Sequence, residues 1–279
     1  MAAGGASRFC RFLRGVGVSA NSTRRATDRG NDRAIHEIDR EEPEVVRTIR
    51  RHTEATRDHM TPEIQLFLLT PNCTLYHESS RSVLDRDEVA KNVFSDPFWA
   101  IYWPGGQALA RFLLDEGEKL FSYSRKEMNV LDVGSGCGAA AIAAKLAGAK
   151  RVVANDIDKV ACTAVSMNAA LNHVNLEVSR ENLLHASLGE PTDVILIGDM
   201  LYDEEIAGSL IPWIERARGD GSRIYLGDPG RHCLSRDLKQ RLKLLKEYSL
   251  PENIRKENYG YDRCNVWEFL GRRIKCNMV

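Results

Sequence analysis

Three glycines at alternate positions, Gly134, Gly136 and Gly138, follow a short apolar run formed by Val130, Leu131 and Val133. Backbone without side chains can turn sharply there and lie close to a ligand, in space that a Cβ would otherwise fill. Asp132 sits within the apolar run, and Asp156 follows a second run from Arg151 to Ala154. An aspartate carboxylate accepts two hydrogen bonds at once, which suits a vicinal diol. Glycine turn and acid together outline a nucleotide-cofactor site; an ordinary strand-helix-strand unit with a tight turn, or a different nucleotide, would use the same residues. Farther along, the nearly continuous apolar run Asp193 to Met200 ends in Asp199, with Tyr202 three positions on. An acid at that strand end is placed to meet a ligand, or else to cap a helix from Glu204 onward.

The chain must supply elements that bring these residues to one edge, and its patterning does so. Ala139 to Ala147 is a strong helix-forming run stopped by Gly148. After Asp156, Val160, Ala164, Met167 and Leu171 repeat at helical spacing, which makes Met167 a core residue. Leu176, Val178 and Ser179 read as a third strand, followed by Glu181 and Asn182; Asp193 to Met200 is a fourth, buried on both faces. Ile206 to Ala217 reads as a helix ended by Gly219, Arg223 to Leu226 as a fifth strand, and Leu234 to Tyr248 as an amphipathic helix. Asn265 to Leu270 reads as a late strand completing an antiparallel hairpin edge. Alternating strands and helices of this kind predict an α/β fold.

Upstream, residues 35–95 read as a helical lead-in ahead of a main domain over 96–279. Thr61 and Pro62 form an N-cap and first-turn pair ahead of Ile64, Leu66, Phe67 and Leu68. Leu75 and Tyr76 suggest a short strand, Ser82 to Phe94 a short helix, and Gln107 to Glu116 a longer one. Trp99, Tyr102 and Trp103 crowd before Pro104, Gly105 and Gly106, making either core or an aromatic wall beside a gap. Trp103 is the better candidate for the wall, where a ring face attracts a cation.

Lysine plus arginine equals aspartate plus glutamate at 39 each, so no global field draws the chain to nucleic acid or an anionic membrane. No apolar run is long enough to span a bilayer. The seven cysteines show no metal-ligand spacing, which leaves no metal expected, and Cys137 reads as a small tolerated side chain rather than a nucleophile. Before Asp28 there is no acid, while Arg8, Arg11, Arg14, Arg24 and Arg25 alternate with small residues, and Phe9, Phe12, Leu13 and Val16 share one helical face. That composition reads as a mitochondrial presequence over 1–34, or as a basic tail.

The G-x-G-x-G spacing departs from the G-x-G-x-x-G dinucleotide fingerprint and resembles the S-adenosylmethionine loop of the seven-strand methyltransferases. W-P-x-G at Trp103 to Gly106 and D-x-x-Y at Asp199 to Tyr202 resemble motifs of methyltransferase family 16, whose known members largely methylate lysine in proteins. The resemblance runs from about Trp99 to Leu270 and implies a Rossmann-like seven-strand sheet with S-adenosyl-L-methionine as cofactor. It implies that Asp132, Gly134, Gly136 and Gly138 border the amino-acid end of the cofactor and that Asp156 takes the ribose hydroxyls. Asn182 stands near the place where the family commonly has an acid for the adenine amino group. Trp103 would wall the cofactor, while Asp199 and Tyr202 would serve the acceptor, Asp199 orienting its ammonium. With the presequence, the set is similar to the mitochondrial lysine methyltransferases of that family, which implies the matrix as location and the beta subunit of electron transfer flavoprotein as acceptor. Another acceptor, such as a small molecule or a ribosomal protein, or a non-catalytic cofactor-binding module, would share the cofactor half.

Overall fold

The computed structural model describes residues 43–77, 87–122, 128–185, 191–257 and 260–271; the segment read as a presequence lies outside the described residues. Its centre is a sheet of seven strands. Strands β3 (Asn129–Val133), β4 (Arg151–Asn155), β5 (Glu177–Ser179), β6 (Val194–Gly198) and β7 (Arg223–Asp228) are parallel, and β8 (Leu242–Ser249) and β9 (Arg263–Phe269) add an antiparallel edge. The spatial order is β5-β4-β3-β6-β7-β9-β8. The chain therefore runs outward to β5, returns, and resumes on the other side of β3, which puts the topological switch between β3 and β6. The central strands are buried on both faces, as the unbroken apolar runs require.

Helices cover both faces. On one side lie α4 (Pro104–Ser122) and α5 (Ala139–Leu146), the latter with Ala139, Ala140, Ala141, Ile142, Ala143 and Ala144 all buried, so that small side chains let it sit close to the sheet. On the other side α7 (Glu204–Gly219) buries Leu210, Trp213 and Ile214 against Ile195, Ile197 and Ile224. Each such side chain taken wholly from water contributes about 1.5–3 kcal/mol. The helix α6 (Lys159–Leu171) is capped by Asp158, which accepts from Val160 N, and packs Met167 into a third cluster with Trp99, Val46 and Ile49. Met167 and Trp99 are thus core, at 1% and 2% exposure.

The segment before Trp99 is less helical than its composition suggests. It holds α1 (Pro43–His52), the turn α2 (Thr74–His77) and α3 (Glu88–Val93), but also the antiparallel pair β1 (Glu54–Thr56) and β2 (Leu66–Leu68). Thr61 and Pro62 therefore start no helix: Leu66 and Leu68 alternate with half-buried Phe67 at the two-residue period of a strand. The side chains of Asn168 and Asn172 accept the Phe67 and Gln65 N–H groups at 2.8 and 2.7 Å, docking this strand on α6. Leu75 and Tyr76 lie in α2 and not in a strand. The helix expected from Gln107 begins earlier, at Pro104, whose missing N–H costs nothing in a first turn.

The largest departure is at Leu234 to Tyr248, read as one helix. Only α8 (Arg236–Lys239) is helical, and from Leu242 onward the chain is the edge strand β8, paired with β9 from Leu242↔Phe269 to Ser249↔Arg263. A register shift between Leu244 and Lys246 breaks the two-residue alternation. Leu242 packs on the α7 side and, past the shift, Leu245 and Tyr248 pack on the α4–α5 side, so the better-buried residues fall at three-residue spacing, which imitates a helix in the sequence. A last short helix, α9 (Glu252–Glu257), joins β8 to β9.

Candidate active site

Four neighbouring parallel strands, in the order β4, β3, β6, β7, each carry an aspartate at the carboxyl end: Asp156, Asp132, Asp199 and Asp228. This is the edge at which open α/β sheets bind ligands.

On the β3–β4 side the glycine loop does what its spacing predicts. Gly134, Gly136 and Gly138 all adopt positive φ, at 65°, 53° and 79°, a backbone region that residues with a Cβ rarely enter. The Gly136 N–H donates to Asp156 Oδ2 at 2.9 Å and the Asp158 N–H to Asp156 Oδ1 at 3.0 Å, so the acid grips the loop across the strand gap. Burial pushes the Asp156 carboxyl above its ordinary value against the pull of those N–H groups. Asp132 is 2% exposed and accepts the Ala141 N–H at 3.1 Å. It thereby satisfies a first-turn donor of α5, whose N-cap Gly138 has no side chain to offer. Burial, and then neighbouring Asp156, raises Asp132 to about 7. Cys137 in the loop is buried and pushed up to about 12, so it remains a thiol and no nucleophile. Asn182 is solvent-exposed beyond β5, and the strand end beside it is tied down by Asn155, whose Nδ2 donates to Glu181 O at 3.0 Å.

On the β6–β7 side the arrangement is denser. Asp199 is 6% exposed, not at an open rim, and takes a left-handed conformation, φ 59°. A non-glycine residue held there costs on the order of 1 kcal/mol and persists only where its surroundings fix it. They do: the Gly105 N–H donates to Asp199 Oδ2 at 2.5 Å, Asp199 N donates to Gly227 O at 2.9 Å, and Arg231 Nε pairs with Asp199 Oδ1 at 2.5 Å. Burial raises the Asp199 carboxyl, and the Arg231 charge works against that rise. A Cβ on Gly105 would stand 2.7 Å from Asp199 N, which explains the glycine after Trp103-Pro104: the start of α4 lies directly on the strand ends. The capping role open to Asp199 belongs to Asp203, which accepts the Glu205 and Ile206 N–H groups.

Arg231 lies 5.6 Å from the ring centre of Trp103 and 5.3 Å from that of Tyr261. Trp103, expected as a wall for the cofactor, thus faces this guanidinium, and its Nε1 donates to Phe98 O at 3.0 Å. Tyr202 is 47% exposed beside the cluster. The glycine loop, Asp132 and Asp156 come together as read, and Asp199, Tyr202 and Trp103 gather on the neighbouring strand ends. Sequence reasoning missed Arg231, Asp228 and Tyr261, and also Asn168, whose Nδ2 donates to Cys137 O at 2.9 Å and ties the glycine loop to the lead-in. The run Gly227 to Arg231 after a buried strand was the available signal. Among the described residues no group of three or more His, Cys, Asp or Glu could hold a metal, and no helix is long and apolar enough to cross a membrane.

The ribosomal protein L11 methyltransferase (PrmA) family matches residues 117–217. Among solved structures, the N-methyltransferase NodS from Bradyrhizobium japonicum in complex with S-adenosyl-L-homocysteine is 18% identical, with 69% of this chain and 98% of that chain covered and a TM-score of 0.42. Similarity to the electron transfer flavoprotein beta subunit lysine methyltransferases is far higher. The Xenopus laevis protein is 45% identical over 224 residues, 79% of this chain and 85% of that one. The Homo sapiens protein is 42% identical over 232 residues, 82% of this chain and 83% of that one. The chain belongs to the electron transfer flavoprotein beta subunit lysine methyltransferase family.

Proposed function

We propose that the chain methylates lysine side chains of the electron transfer flavoprotein beta subunit, using S-adenosyl-L-methionine, in the mitochondrial matrix after import directed by residues 1–34. The observation that carries this reading is the placement of the glycine loop with Asp156, and of Asp199, at the ends of neighbouring strands. The loop fits a cofactor: the nearest atom a Cβ on Gly136 would meet is Trp99 Cα at 4.0 Å, which leaves room in front of the backbone. Asp156 stands half-buried beside that space to take a diol, with Asn182 beyond it toward a base.

When bound, the cofactor supplies a methyl group on a sulfonium, already activated for in-line transfer. The chain's task is then to position the acceptor and exclude water. A lysine, with a reference pKa of about 10.4, must lose a proton before it attacks. Asp199 has acceptor sites beyond those used by Gly105 and Arg231, since a carboxylate offers about four, and these orient the ammonium while water takes its proton. Tyr202 closes the opposite side of the channel, and Trp103 walls it.

The test is incubation of the purified protein with labelled cofactor, mitochondrial extract and the recombinant flavoprotein beta subunit, followed by digestion and mass spectrometry. Label on beta-subunit lysines is expected. Label confined to another acceptor, or none, overturns the reading.

A further inference from the structure

Asp199 alone gives an incoming ammonium little net attraction, because its charge is already matched. Its pair with Arg231 at 2.5 Å joins side chains only 4% and 11% exposed, and such a buried pair is close to neutral as a unit. The unbalanced charge lies one strand over. Gly198 and Gly227 are register partners on β6 and β7, so the aspartates that follow them, Asp199 and Asp228, stand side by side. Asp228 is 1% exposed; its Oδ1 accepts the Gly230 and Arg231 N–H groups at 2.6 and 2.8 Å. Its Oδ2 is buried and has no hydrogen-bond partner among the described residues. A buried carboxylate oxygen without a partner is costly unless a cation or donor completes it.

We propose that the acceptor ammonium is recognised by the cluster Asp199, Arg231 and Asp228, walled by Trp103 and Tyr261, and that Asp228 carries the charge that the cluster holds in excess. Two carboxylates and one guanidinium sum to one negative charge, which one ammonium neutralises. The ring faces of Trp103 and Tyr261 already flank one cation, and the same faces suit an ammonium that gains methyl groups while keeping its charge. Burial, and then Asp199, raises Asp228 to about 6, so it remains a carboxylate in the mildly alkaline range where lysine begins to lose its proton. Asp228 is a positioning residue here, and its role rests on the lysine methyltransferase reading above.

The experiment is steady-state kinetics on Asp228→Asn with the recombinant flavoprotein beta subunit as acceptor, alongside calorimetry with S-adenosyl-L-homocysteine. Asparagine keeps an oxygen for the Gly230 and Arg231 N–H groups, so the turn survives while the charge goes. The KM for the protein acceptor should rise about tenfold, with kcat within about threefold and cofactor-product affinity unchanged. An unchanged KM, or an affinity for S-adenosyl-L-homocysteine lost in step with activity, overturns the assignment. Should Asp228→Asn fail to fold, Tyr261→Leu removes a wall and leaves the carboxylates; it should raise the same KM about threefold, and no rise overturns the proposal. If the unsubstituted protein labels no protein lysine, the functional reading fails and this inference with it; if it does label lysine and Asp228→Asn behaves like it, only the inference fails.

Discussion

On the β3–β4 side, Asp132 and Asp156 take their hydrogen bonds from backbone N–H groups 9, 2 and 20 residues away. On the β6–β7 side, Asp199 is held by a backbone group 94 positions distant and by a side chain 32 positions away. The first half is a single strand-helix-strand unit whose acids shape their own loop. The second exists only when α4, β6 and β7 have met. One half presents mostly backbone to its ligand and the other mostly charged and aromatic side chains, which suits an invariant cofactor on one side and a cationic acceptor on the other. If the halves are separable in this way, substitutions should divide cleanly between cofactor affinity and acceptor chemistry.

Asp199→Asn should separate them most sharply. Asparagine tolerates the left-handed backbone at this position and keeps an oxygen for the Gly105 N–H, but it removes the carboxylate charge with which Arg231 Nε pairs. Methylation of the protein acceptor should fall about 100-fold while affinity for S-adenosyl-L-homocysteine stays near that of the unsubstituted protein. Loss of both together would merge the two halves into one.

The complementary substitution, Asp156→Ala, removes the acceptor for the Gly136 and Asp158 N–H groups as well as the proposed ribose contacts. Cofactor affinity by calorimetry should drop about tenfold or more. The KM for the protein acceptor at saturating cofactor should hold steady. An unaltered affinity in a folded variant would move the cofactor away from this loop.

The same contrast explains how much could be read from the sequence. The geometry of the glycine loop, Asp132 and Asp156 was legible because these parts lie within 29 residues, Met128 to Asp156, and the glycines declare the positive φ that the structure shows. Asp199 and Tyr202 were legible only as a motif at a strand end. That Asp199 is buried against Gly105 and Arg231 follows from how α4 lands on the sheet, and no local pattern encodes a contact across 94 residues. Arg231 and Asp228 lie around Pro229 and Gly230 and match no motif that marks them for a role. The fold was legible wherever a strand is buried on both faces, and at the exposed edge strand β5 as well; it was misread at β8 and β2. At β8 a bulge disguised a strand as a helix, and at β2 the pairing partner and the asparagines of α6 override a helix-start signal at Thr61 and Pro62.

Asp132 tests the cofactor half without touching a ligand. Its folded value of about 7 lies above the ordinary 3.8, so between about pH 4 and 7 the folded state holds more protons than the unfolded one. The stability this group supports therefore falls as pH rises through that window and stays low above it. Asp132→Asn keeps an acceptor for Ala141 N–H and cannot ionise. At pH 8 it should melt about 2–4 °C higher than the unsubstituted protein, the equivalent of about 1 kcal/mol in a chain of this size, and the gain should shrink toward pH 4. A gain independent of pH would show that Asp132 does not ionise with the cost that its burial implies.

The smallest effect belongs to Tyr202, and it probes the boundary between the halves. Tyr202 is 47% exposed, and burial of the rest, with Asp203, Asp156 and Asp96 nearby, raises its phenol above the ordinary value. It therefore stays protonated throughout the working range and acts as a wall or hydrogen-bond donor, never as a base. Its hydroxyl makes no hydrogen bond among the described residues, and Asp199 is fixed by Gly105 and Arg231 without it. Tyr202→Phe keeps the ring and should lower methylation of the protein acceptor by about threefold or less, with cofactor-product affinity unchanged. Tyr202→Ala, which opens the channel to water, should cost more than the phenylalanine variant, because on this reading the ring and not the hydroxyl does the work. A loss with Tyr202→Phe as large as that with Asp199→Asn would show instead that the hydroxyl engages the acceptor once it arrives, and would make Tyr202 part of the cluster that holds the ammonium.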